Sequence, residues 1–116
     1  MTITTKPRFL RLILIAACCI ALPALAEDQW IVTAADWSRP RSGEMVLQLE
    51  GIHNAVNAWR DDSGADIIII YAGGESGGFW AEEIRSWMIA LGIPGEHVIT
   101  RTGGLNEDRI VLQLER

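Results

Sequence analysis

Residues 74–78 read Gly-Glu-Ser-Gly-Gly, a literal G-x-S-x-G. In that pattern a serine on a tight strand-to-helix turn attacks an acyl group. A histidine serves as its base, an acid orients the base, and a separate loop holds the oxyanion. Four isoleucines (67–70) precede the motif and a helix-like segment follows it, so the local context fits. The partners do not. Only His97 follows Ser76 in the chain. It opens a strand expected over 97–102, at the opposite end of the sheet from Ser76. A strand length is roughly 17–20 Å, against about 3 Å for hydrogen-bond reach. His53 falls in the middle of an expected helix, and no H-G-G-G stretch supplies an oxyanion loop. The expectation is a chain that is not an enzyme, with a small serine hydrolase using Ser76 as the outlying alternative.

The same glycines could cradle a phosphate on backbone N–H groups. No lysine follows them, and Glu75, Glu82 and Glu83 crowd the turn, so a nucleotide site is not expected. Two histidines do not make a metal centre, which needs three or four ligands at workable spacing. No cofactor or metal is expected. A third chemistry fits better. In open α/β sheets ligands gather at the carboxyl ends of the strands. Three loops are expected there, over 36–43, 72–78 and 101–108. They carry Trp37, Arg39, Arg41, Ser76, Gly77 and Arg101. Arginine suits planar carboxylates, and Trp37 would add a stacking face. These six residues form the candidate binding rim, for a carboxylate-bearing ligand or a partner's acidic segment. The competing account is that the arginines pair only with Asp36, Glu75, Glu107 and Asp108 as surface ion pairs.

The elements that must hold this rim follow from periodicity. Residues 29–35 read as a first strand. Met45, Leu49, Ile52, Val56 and Trp59 recur at spacings of 4, 3, 4 and 3, which predicts one amphipathic helix over 43–62, with Ser42 as its cap. Gly51 interrupts that helix at a cost of about 1 kcal/mol against alanine, which points to a close approach of a neighbour. Residues 65–71 are a β-branched run, expected at the sheet centre or covered on both faces. A second helix is expected over 79–91, stopped by Gly92 and Pro94. Residues 97–102 and 109–115 read as the last two strands. The fold class is α/β: a two-layer sandwich of order β-α-β-α-β-β, with a mixed four-stranded sheet and two helices on one face. The first three strands are expected parallel and the last two are expected as a hairpin.

Residues 1–26 stand apart. Lys6, Arg8 and Arg11 precede an apolar run, and Ala24-Leu25-Ala26 meets Glu27 and Asp28. This describes a secretory signal peptide, with one domain over 27–116. A competing lipobox over 15–18 would lipidate Cys18 and tether the chain to a membrane. After trimming, both cysteines are gone, and seven arginines face fifteen acids, a net charge of −8. Nucleic acid and anionic membranes are poor partners for such a surface.

Residues 43–116 resemble, in layout, the C-terminal envelope domains called OmpA-like, and also the CpaD group of pilus-assembly proteins. The shared features are a β-branched strand, a glycine-containing loop, a helix running into "ALGIPGEHVI", and a last strand introduced by "NEDRIVLQL". OmpA-like domains hold peptidoglycan with an Asp and an Arg. Here "AGGESGGFWAEEI" has no Asp, and Trp80 stands before Ala81 where that family has Arg. The resemblance implies a place in the bacterial envelope and a non-catalytic role. The expectation is therefore a periplasmic binding or accessory module of the envelope, or of a pilus, secretion or conjugative-transfer apparatus. Its partner would be an envelope protein or peptidoglycan, and a degenerate peptidoglycan-binding domain is the alternative.

Overall fold

The computed structural model describes residues 28–39 and 42–116. The expected signal peptide, Cys18 and Arg41 lie outside them. Eight elements, numbered here in chain order, build the domain. Strand β1 is Gln29–Thr33, helix α1 is Ala34–Trp37, α2 is Gly43–Gln48 and α3 is Glu50–Asp61. Strand β2 is Asp66–Tyr71, α4 is Gly74–Ala90, β3 is Val98–Thr102 and β4 is Arg109–Glu115. A 3-10 turn, Gly95–His97, leads into β3.

The sheet is mixed and four-stranded, with strand order β1-β4-β2-β3. It forms a two-layer α/β sandwich with the long helices α3 and α4, as its sequence pattern predicts. Strand β2 pairs parallel with β3 and antiparallel with β4, and β1 pairs antiparallel with β4. The first three strands therefore run in one direction. The expected β3–β4 hairpin does not form. Strand β4 instead fills the gap that the α2–α3 crossover leaves between β1 and β2. The connecting loop passes over the end of β2, where the Gly104 N–H donates to the Tyr71 carbonyl at 2.9 Å. A Cβ at Gly104 would lie 2.8 Å from the Tyr71 carbonyl carbon, so this passage needs a residue without a side chain.

The hydrophobic stripes explain the layers. On the inner face, Val32, Ile67, Ile69, Val98, Ile110, Leu112 and Leu114 are buried in one core with Ile52, Val56, Ala81, Ile84 and Met88 of the helices. The expected single helix over 43–62 is two. Leu49 has φ −65° and ψ 122°, which is extended backbone, and it ends α2 and starts α3. The break turns α3 onto β1, where a Cβ on Gly51 would stand 2.5 Å from the Ile31 carbonyl oxygen. The close approach expected at Gly51 is therefore present.

The outer sheet face is not covered by a helix among the described residues. Ile31 is 51% exposed and Ile99 is 38% exposed there. Ile68, also on this face, is nonetheless 1% exposed. The Arg101–Glu115 ion pair, at 3.0 Å, joins β3 to β4 across β2 and so lies over Ile68. Strand β2 is thus central and shielded on both sides by different means: helices within, an ion pair without.

Candidate functional site

The loop after β2 is shorter than its glycines suggest. Gly73 and Gly74 take φ of 93° and 78°, in the left-handed region open to glycine. Helix α4 then begins at Gly74, five residues before the expected start at 79. Ser76 and Gly77 are therefore in its first turn, not in a loop. Ser76 is not a cap either: Gly73 is the N-cap residue, and no side chain caps this helix. Gly77 has a packing role, because a Cβ there would stand 3.2 Å from the Tyr71 ring.

This turn forms one wall of a cleft of about 280 Å³. Tyr71, Trp80 and Ile110 supply its apolar lining, and Ser76, Glu75, Glu107 and Arg109 its polar groups. Two observations define its electrostatics. The N-terminal end of a helix of 17 residues faces it, carrying the positive end of the helix dipole. Arg109 brings a positive charge to its edge; this residue also borders a second cleft on the outer sheet face, with Ile31, Ile70 and Val111, and Asp108 is 3.9 Å from it. Against these stand the carboxylates of Glu75 and Glu107, both exposed and both without an ion pair or hydrogen bond among the described residues. The Trp80 indole N–H is buried and has no hydrogen-bond partner among the described residues.

The six expected rim residues separate. Ser76 and Gly77 line the cleft. Trp37 does not offer a stacking face: it is 6% exposed and belongs to the core, and its Nε1–H donates to Glu83 at 2.8 Å. Short helix α1 turns it inward, started by the Thr33 hydroxyl accepting from the Asp36 N–H at 3.2 Å. Arg39 is exposed and 3.6 Å from Asp36, an i,i+3 pair of the kind expected of surface arginines. Arg101 is not on the rim. It lies on the outer sheet face, bound to Glu115. Arg41 is outside the described residues. The residues missed are Tyr71, Trp80, Glu107 and, above all, Arg109. With β4 beside β3, Arg109 reads only as the exposed start of an edge strand. With β4 between β1 and β2, the same residue stands beside the end of β2 and the start of α4.

Neither histidine lines this cleft. His97 Nδ1 is 2.9 Å from Asp66 Oδ1, at the amino end of β2, whereas Ser76 follows its carboxyl end. His53 on α3 pairs with Asn57 at 3.1 Å. Among the described residues no cluster of three His, Cys, Asp or Glu side chains could hold a metal ion. Nor is any described helix long and apolar enough to cross a membrane.

Far from the cleft, Arg116 ties the two ends of the domain together. It binds Asp28 and Asp62 at 2.7 Å each. The hydrogen bond to Asp28, then the charge of Asp28 and the bond to Asp62, raise its pKa above the ordinary arginine range.

No protein-family model matches the chain, and no curated protein or solved structure matches it.

Proposed function

We propose that this protein is an exported, non-enzymatic binding or accessory module of the bacterial envelope, serving an assembly such as a pilus, secretion or transfer apparatus. It takes a carboxylate-bearing group, on a small ligand or on a partner, in the cleft at the start of α4. The observation that carries this reading is the convergence of Arg109 and the uncapped first turn of α4 on one cleft. A guanidinium and free helix N–H groups are the donors a carboxylate requires. The leader-like residues 1–26 and the acidic surface support export and argue against nucleic acid as the ligand. The placement of both histidines away from Ser76 supports binding over acyl transfer.

Two measurements test it. A fluorophosphonate probe should leave Ser76 unlabelled, and labelling abolished by Ser76→Ala would establish a hydrolase instead. Capture by isolated cell-wall sacculi, compared between the native protein and Arg109→Gln, tests whether the carboxylates belong to peptidoglycan. Retention that Arg109→Gln abolishes assigns the wall as partner. Recovery of all the protein in the supernatant leaves a protein partner.

A further inference from the structure

Resting on the reading of this cleft as a carboxylate site, we infer that its ligand also carries a cation, and that the cleft is built for an α-amino-acid head group. A cleft meant for a simple anion has no use for two free carboxylates in its lining. Glu75 and Glu107 are both there, and among the described residues neither is spent on an ion pair or hydrogen bond. Each would repel a lone carboxylate or a phosphate by the same Coulomb term with which Arg109 attracts it. The cleft therefore presents both signs of charge. The donors are Arg109, the Ser76 hydroxyl and the first-turn N–H groups of α4; the acids are Glu75, in that same turn, and Glu107, two residues before Arg109.

A zwitterion satisfies both sets at once. Its carboxylate goes to the guanidinium and the helix start, where anions are favoured. Its ammonium goes to Glu75 and Glu107. Tyr71, Trp80 and Ile110 leave an apolar wall for a side chain. At about 280 Å³ the cleft stands at the lower end of small-molecule sites, in keeping with an amino acid rather than a nucleotide. Trp80 lines this wall, and its indole N–H lies beneath the surface. It is unpartnered among the described residues, the kind of orphan group that calls for an explanation.

The test titrates the 15N-labelled protein by NMR with four compounds. They are leucine, its deaminated acid 4-methylpentanoate, its decarboxylated amine 3-methylbutylamine, and the dipeptide γ-glutamyl-leucine, which carries the same head group on a peptide. Shifts of the amides of 74–77 and of the Trp80 indole N–H, assigned with Trp80→Phe, are read. The expected result is that leucine or the γ-glutamyl dipeptide binds at least about tenfold more tightly than the acid or the amine. The tighter of the two names the source, a free amino acid or a head group on a larger molecule. The double variant Glu75→Gln with Glu107→Gln should bring leucine down to the level of the acid. The single variant Arg109→Gln should bring it down to the level of the amine. If the acid binds as well as leucine, the carboxylate site stands and the amino-acid assignment is overturned. If only the amine binds, or if no compound shifts these signals, both fall.

Discussion

Gly51→Ala isolates one physical term in this fold. By helix propensity the change should stabilise α3 by up to about 1 kcal/mol. The packing opposes it. The new Cβ would lie 2.5 Å from the Ile31 carbonyl oxygen, 3.1 Å from its carbon and 3.4 Å from a Val32 methyl. A carbon–oxygen contact normally closes at about 3.3 Å, so α3 or β1 must retreat by nearly an ångström. Both are tied to the core through Val32, Ile52 and Val56, each of them buried. Overpacking of this sort costs about 1–3 kcal/mol. The net loss should be about 1 kcal/mol, within a span of roughly 0–2, and in a domain this small 1 kcal/mol lowers Tm by roughly 4–8 °C. Gly64→Ala is the paired control. Nothing lies within 4 Å of its Cβ, and its φ is not in the left-handed region. That substitution should leave Tm unchanged or raise it slightly, through the reduced freedom of the unfolded chain. Thermal unfolding followed by circular dichroism reads both. An unchanged or higher Tm for Gly51→Ala would refute the packing account of the broken helix.

Three further outcomes follow from single contacts. Ile84→Ala removes a fully buried side chain between α4 and the sheet and should cost about 2–5 kcal/mol, seen as a lower urea midpoint at unchanged slope. Trp37→Phe keeps an aromatic ring in the core, though a smaller one, and leaves Glu83 without the indole donor at 2.8 Å. A hydrogen bond to a charged group contributes about 1.5–3 kcal/mol, so an equal or higher Tm would show that this bond is not stabilising. Arg116→Gln removes two ion pairs. A guanidinium whose folded pKa is raised stabilises fully below its unfolded value and loses the effect only as pH passes the folded one. The contribution is therefore flat across neutral pH, and salt is the lever. The difference in Tm between Arg116→Gln and the native protein should shrink in 1 M NaCl, roughly a 3 Å screening length. A difference that grows with salt would contradict the ion-pair account.

Much of the fold was legible because burial leaves a period. The stripe from Met45 to Trp59 and the isoleucines of β2 each encode which face turns inward. The residues that defeated a reading by pattern did so for physical reasons. Nothing in the sequence marks Leu49 as a helix break: it is apolar, a good helix former and in register with the stripe. Its extended ψ is imposed by where α3 must sit on β1, a tertiary demand. The glycines after β2 look like a loop because glycine is a poor helix residue. Gly77 is helical all the same, and a Cβ there would stand only 3.2 Å from the Tyr71 ring, so glycine suits the packing. Sequence position alone puts Trp37 and Arg101 on the rim. Position gives the end of the sheet but not the direction of the side chain, which a short helix and a strand face decided differently. Ser76 does follow the carboxyl end of β2, but in the first turn of α4 and not in a loop.

The error in strand order and the missed arginine have one cause. A hairpin between β3 and β4 would leave β4 on the edge, with Arg109 facing solvent beyond β3. Passing the 103–108 loop over β2 puts β4 antiparallel between β1 and β2 and buries Ile110, Leu112 and Leu114 against the helices. An inner position of this kind supplies neighbours on both sides of β4, so its alternating apolar residues have somewhere to go. The same passage sets the first residue of β4 beside the last residue of β2, and therefore beside the first turn of α4. The cleft is a consequence of that crossing. It exists because Gly104 lets the chain lie against the Tyr71 backbone, and its chemistry is what the crossing brings together: a helix start, a guanidinium and two glutamates from opposite sides of the same gap.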